Sequence, residues 1–199
     1  MSPPPPYDLP SLAARLSRSS PKHAPAGAEP RASVAAILRD PGAGRDAEIL
    51  LIRRADRDGD PWSGHMAFPG GRRDAGDASL YATALRETLE EVGIDLAAHG
   101  TLLAELPELP AIARGKRTGM VITPFVFALD REVSMAFDPH EVAEALWAPF
   151  GPLARRENAG TLPYELEGRR VELPCLTVEG RVVWGLTYRM LEMIFEALG

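Results

Sequence analysis

The sequence predicts an α+β sandwich. Strand-length and helix-length apolar runs follow one another without the strict alternation that a doubly wound parallel sheet requires. The chain has 199 residues, 45% hydrophobic and 25% charged, which suits one domain with a sizeable core.

In chain order, residues 3–30 are rich in proline, serine and alanine. Within them Tyr7–Arg18 reads as a short amphipathic helix with Leu9, Leu12 and Leu16 on one side. Pro21–Pro30 then reads as a linker, leaving that helix loosely attached or packed on a partner. The expected division is a Pro-rich arm, residues 1–30, and a main domain, residues 31–199; the arm is compatible with a homodimer. Ala32–Leu38 and Glu48–Ile52 read as strands flanking the turn-like Asp40-Pro41-Gly42-Ala43-Gly44. Phe68-Pro69-Gly70-Gly71 leads into a polar loop and a helix expected from Asp77 to Val92. Further strands are expected at Thr101–Leu106, Val121–Leu129 and Ala145–Ala148, with a short helix at Pro152–Glu157. Val171–Val178 and Arg181–Trp184 form a hairpin turning at Glu179-Gly180. Leu186–Leu198, apolar at helical spacing, packs on the sheet.

Composition narrows the function. Cys175 is the only cysteine, so neither an intramolecular disulfide nor a cysteine-based zinc site can form, in keeping with a reducing cytoplasm. No run of about 18 apolar residues is present, and the N-terminus lacks the basic start and apolar stretch of a secretory signal. A net charge of −6 disfavours a broad nucleic-acid surface. A polyanionic substrate would therefore need divalent metal and a few local arginines.

The chemistry lies between Gly70 and Ile94. Asp77 suits an N-cap, and Gly93 suits the position just past a helix C-terminus. Tyr81, Ala84, Leu85, Thr88 and Val92 share one face at helical spacing. Glu87, Glu90 and Glu91 fall on another, at i, i+3 and i+4. Like charges at those spacings cost roughly 0.2–0.5 kcal/mol per pair on an exposed helix. A hard divalent cation, which takes oxygen ligands, would neutralise that repulsion. A plain solvated acidic face explains the cluster equally well on its own.

Arg86-Glu87-Thr88-Leu89-Glu90-Glu91-Val92-Gly93-Ile94, preceded by Gly71, resembles the box of the Nudix hydrolase family, G-x5-E-x7-R-E-U-x-E-E-x-G-U with U a bulky aliphatic. Thr88 stands at an aliphatic position, Asp77 replaces the first glutamate, and the Asp77-to-Arg86 spacing is one residue longer. The resemblance implies an α/β/α sandwich with a mixed sheet and the box as loop–helix–loop. It implies Mg²⁺ (or Mn²⁺) held by Glu87, Glu90 and Glu91 with a carbonyl of Gly70 or Gly71. It also implies a mainly structural Arg86 that orients a box glutamate. For Asp77, N-capping is explanation enough. The implied reaction is hydrolysis of a phosphoanhydride, in which the metal lowers the pKa of the attacking water and a carboxylate removes its proton. Glu90 or Glu91 can serve as that base, or a glutamate outside the box, for which Glu141 and Glu144 are candidates; both also read as solvated loop carboxylates.

Upstream, Leu50-Leu51-Ile52-Arg53-Arg54-Ala55 and Gly64-His65-Met66-Ala67-Phe68-Pro69-Gly70-Gly71 resemble the segment preceding the box in coenzyme A pyrophosphatases. Ile52 and Ala55 depart from that pattern, and the interval to Gly64 is one residue long. The resemblance implies cleavage of coenzyme A or an acyl-CoA to 3′,5′-ADP and (acyl-)4′-phosphopantetheine. Arg53, Arg54, Arg114, Lys116 and Arg117 are candidates for the phosphates, with Phe68 beside them and Arg54 placed best by the pattern. Trp62 and Trp184 offer flat faces for an adenine, although a core or lid role explains each. His23, His65, His99 and His140 have no metal-ligand spacing. Two alternatives stand: a pyrophosphatase for NTPs, ADP-ribose or dinucleoside polyphosphates, and a non-catalytic Nudix-fold ligand-binding module.

Overall fold

The computed structural model describes residues 7–18, 29–42, 44–113, 115–166 and 168–199. The elements run α1 (Leu9–Leu16), β1 (Arg31–Arg39), β2 (Glu48–Arg54), β3 (Met66–Ala67), β4 (Gly70–Arg72), α2 (Leu80–Val92), α3 (Leu96–His99) and β5 (Gly100–Glu105). They continue β6 (Leu109–Ala113), β7 (Lys116–Leu129), β8 (Val142–Pro149), α4 (Phe150–Ala154), β9 (Ala159–Leu166), β10 (Arg169–Val178), β11 (Arg181–Trp184) and α5 (Gly185–Leu198).

Among the described residues the main sheet has eight strands, with the path β3-β2-β1-β7-β5; β4 pairs with β1, β6 with β7 and β8 with β2. β1 and β7 run parallel, from Arg31 opposite Val121 to Leu38 opposite Ala128. The other pairings in this sheet are antiparallel, so the sheet is mixed. Both faces of its centre are apolar. In β1, Ala32, Val34, Ala36 and Leu38 face one core, while Ala35 and Ile37 face the other. That alternation is what a strand covered on both sides must show. The box helix α2 and the short α3 cover the second face; α1, α4, α5 and the separate sheet β11-β10-β9 contribute to the first.

Most expected elements form within a residue or two. The β10–β11 hairpin turns at Glu179 (φ 48°) and Gly180 (φ 79°), two successive positive φ values that favour a tight hairpin turn. Four differences have physical causes. The α1 helix is not loosely attached: Leu12 and Leu16 are fully buried in the core with α5, and the Ala47 N–H donates to the Tyr7 carbonyl at 2.8 Å. Its apolar face is occupied within the chain. The Pro21–Pro30 linker lies, apart from Glu29 and Pro30, outside the described residues. The helix expected at Pro152–Glu157 starts earlier, at Phe150, because Phe150 and Leu153 are drawn into the core. β6 and β9 carry prolines and few buried side chains, and only their partners β7 and β10 make them strands. Among the described residues no helix is long and apolar enough to cross a membrane.

Candidate active site

Helix α2 begins at Leu80, not Asp77. Its N-cap is Ser79, whose Oγ accepts from the Ala82 N–H at 3.1 Å. Gly93, at φ 71°, ends the helix in the left-handed region, and its N–H donates to the Leu89 carbonyl. Asp77 is therefore not the cap expected of it. It is buried, and its carboxylate accepts from Arg86 Nε (3.1 Å) and Nη2 (3.0 Å), the Thr83 hydroxyl (2.9 Å) and the Asp74 N–H (2.9 Å). The Arg86 hydrogen bonds, with that of Asp74, hold this carboxyl well below the usual carboxylate range. Anchored so, Arg86 reaches Glu87 Oε1 (2.9 Å), Glu90 Oε2 (2.8 Å) and the Arg72 carbonyl (3.1 Å). Thr88 is buried and donates to the Ala84 carbonyl at 2.7 Å, which satisfies its hydroxyl at an apolar position.

The Gly70-Gly71 strand β4 lies against this helix. Gly70 has φ +151°, and a Cβ there would sit 2.3 Å from the Ser33 carbonyl. Its N–H donates to Glu91 Oε2 at 2.8 Å. A Cβ on Gly71 would meet the Glu87 carboxylate at 2.5 Å. Glycine at position 70 lets β4 pack on β1, and glycine at position 71 leaves room for the Glu87 carboxylate to close on the backbone. Glu91 is 3% exposed. Burial pushes its carboxyl up to about 8, against the pull of the Gly70 N–H and Arg54, and Glu87 and Glu141 push it further. Burial likewise raises Glu87, with Arg86 drawing it back and Glu90 and Glu141 adding repulsion.

A cavity of about 680 Å³ opens beside these acids. Glu87, Glu91, Gly70, Gly71 and Glu141 line it, as do Arg54, Arg57 and Phe68. Arg54 donates through Nε (3.3 Å) and Nη2 (2.8 Å) to Asp60 Oδ2. Burial would raise Asp60, but this bond and the Trp62 N–H outweigh it and hold the carboxyl lower. Glu141 meets Arg57 at 3.5 Å, and its carbonyl accepts from the Ala55 N–H at 2.8 Å.

The other expected site residues lie elsewhere. Glu144 is held by Arg181 (Nε at 3.1 Å) and approached by Arg53 at 4.0 Å. Arg53 also pairs with Asp56 at 3.6 Å. Neither lines the cavity. Lys116 and Arg117 open β7, exposed in the hairpin with β6 and outside the cavity wall. Arg114 lies outside the described residues. Glu90 is 55% exposed and turned to Arg86. Among the described residues no three acidic, cysteine or histidine side chains close around one point. Sequence reasoning missed Asp77 as the anchor of Arg86, because an aspartate before a helix is explained by capping. It also missed Asp60, which no pattern marks.

A family model described as NUDIX domain matches residues 29–164. The chain belongs to the Nudix family. The Nudix match includes both the box and the segment before it. The fission yeast Schizosaccharomyces pombe has an uncharacterized protein, C14C4.10c, that is 44% identical over 107 residues, covering 53% of this chain and 32% of that protein. The uncharacterized Nudix hydrolase NudL of Yersinia pestis is 32% identical over 139 residues, covering 70% of this chain and 66% of that protein. The chain thus spans about a third of the first relative and just under two thirds of the second. The NUDIX domain of Shewanella oneidensis NrtR, solved in complex with ADP ribose, superposes with a TM-score of 0.54 at 16% identity, over 94% of this chain and 98% of that one. It shares the Nudix fold.

Nudix hydrolases generally use divalent ions such as Mg²⁺ or Mn²⁺. The residues present fit such an ion. Glu87 and Glu91 bring hard oxygen donors to one cavity wall, Glu87 closing on Gly71 where a Cβ would stand, and their crowding is the kind a cation offsets.

Proposed function

We propose that the chain hydrolyses the phosphoanhydride of a nucleoside diphosphate derivative, and that its substrate is coenzyme A or an acyl-CoA. One observation carries this reading. The box acids Glu87 and Glu91 share a cavity with Arg54, Phe68, Gly70 and Gly71, the residues that resemble the coenzyme A pyrophosphatase pattern.

In this reading Glu87 and Glu91, with a carbonyl of Gly70 or Gly71, hold Mg²⁺ or Mn²⁺; Glu90 joins them by exchanging its bond to Arg86. Bound there, the ion supplies charge neutralisation at the diphosphate and acidity to the attacking water. Arg54, steadied by Asp60, offers its remaining N–H groups to a phosphate oxygen. Glu141 takes the proton of the water that attacks phosphorus, and the P–O bond to the leaving phosphate breaks. Its position on the cavity wall supports it over Glu144, whose carboxylate is engaged by Arg181. The products are 3′,5′-ADP and (acyl-)4′-phosphopantetheine.

A second reading is hydrolysis of ADP-ribose, favoured by the similarity to the NrtR domain that binds it. Incubating the protein and Mg²⁺ with coenzyme A, acetyl-CoA, ADP-ribose, an NTP and a dinucleoside tetraphosphate, with products identified by mass spectrometry, separates the two. We expect phosphopantetheine release, with a kcat/KM for coenzyme A at least roughly tenfold above that for ADP-ribose. Cleavage of ADP-ribose with coenzyme A left intact would remove the coenzyme A assignment. No cleavage of any of them would remove the hydrolase reading.

A further inference from the structure

Part of the cavity lining is aromatic and differs in chemistry from the acids. Trp62, His65 and Trp184 form it, and they come from two distant parts of the chain: the loop between β2 and β3, and the end of β11. The His65 and Trp184 rings lie 4.7 Å apart at 51°, and Tyr164 of β9 braces the same indole at 5.2 Å and 47°. Trp184 belongs to neither apolar core cluster. It is half-buried, and its indole N–H makes no hydrogen bond among the described residues. It packs against two other rings rather than against the aliphatic core, and one edge of it lines the cavity.

Trp62 is fixed by different means. Its indole N–H donates to the Ile112 carbonyl at 3.2 Å, tying the loop to β6, and its backbone N–H donates to Asp60 Oδ1 at 3.0 Å. Asp60 also grips Arg54, and the Arg54 N–H donates to the His65 carbonyl at 3.0 Å. Trp62, His65 and the candidate phosphate-binding arginine are thus parts of one hydrogen-bonded unit, and Trp184 joins it through its ring contact with His65.

We infer that Trp62, His65 and Trp184 form a subsite for the nucleobase of the substrate, stacking the planar ring while the diphosphate lies by Arg54 and the box acids. This rests on the pyrophosphohydrolase reading and adds to it where the base sits. Rigid π-faces suit a flat heteroaromatic ring, whatever its hydrogen-bonding edge. The ribose and diphosphate joined to that ring then extend along the same cavity toward Glu87 and Glu91.

The test uses the full chain with Trp147→Phe as background, because Trp147 stacks under Arg39 away from the cavity and would mask the other two tryptophans. ADP is expected to quench the remaining emission, and inorganic pyrophosphate is not. Trp184→Leu is expected to weaken ADP binding about 5- to 150-fold while pyrophosphate binding changes little, and Trp184→Phe to recover most of the loss. Circular dichroism checks that each variant is folded. Equal affinity of the Leu variant and its parent for ADP would overturn the subsite, as would equal losses for ADP and pyrophosphate. If ADP binds through Trp184 yet no diphosphate is cleaved, the subsite stands and the hydrolase reading falls.

Discussion

Replacing Glu91 with glutamine is expected to lower kcat/KM by roughly 100-fold or more while making the metal-free protein more stable above about pH 5. Glutamine keeps the acceptor for the Gly70 N–H and removes the charge. The sign of the stability effect follows from linkage. The folded chain retains a proton on Glu91 up to about 8, whereas the unfolded chain releases it near 4.5. Folded protein thus binds more protons across that window, and metal-free stability falls as pH rises through it. The variant has no such proton to lose. Thermal unfolding in EDTA at about pH 5 and about pH 8 checks this: the Tm gained by the variant should be larger at the higher pH. Full turnover, or a variant less stable at the higher pH, would contradict the role given to Glu91.

The two glycines of β4 should separate folding from function. Gly70→Ala puts a methyl group within 2.3 Å of the Ser33 carbonyl and 2.6 Å of the Val34 Cα, at a φ of +151°. Neither atom can move without shifting β1, the central strand of the sheet, so the expected loss is about 3 kcal/mol or more. In Gly71→Ala the methyl meets the carboxylate of Glu87 instead. A side chain can swing aside, so the fold is expected to survive with a loss near 1 kcal/mol while activity drops by roughly 100-fold. Urea unfolding and steady-state kinetics on both variants measure this. Similar stability for the two would show that β4 does not pack as tightly on β1 as described.

The periodic parts of the chain were legible in the sequence. The nearly continuous apolar run Ala32–Leu38 and the 3.6-residue pattern of Leu186–Leu198 lead directly to β1 and α5, because burial on both faces of a strand or on one face of a helix leaves a visible mark. The box acids were legible through their spacing and their match to the family pattern. What escaped depends on contacts distant in sequence. Leu12 and Leu16 read as an apolar stripe without a partner, and α5, which covers them, lies at the far end of the chain. β9 becomes a strand only by pairing with β10. Asp77 looked like a cap because capping and gripping an arginine use the same carboxylate. Glu141 and Glu144 were indistinguishable in sequence, being three residues apart on one segment; one lines the cavity and the other is tied to Arg181.

The central claim is that Glu87 and Glu91 hold a divalent cation on the cavity wall. Mn²⁺ binding followed by electron paramagnetic resonance tests it without requiring any substrate. Wild-type protein should bind Mn²⁺ in competition with Mg²⁺, and Glu87→Gln and Glu91→Gln should each weaken it by at least roughly tenfold. Undiminished Mn²⁺ affinity in the double variant would place the metal, and with it the chemistry, somewhere else.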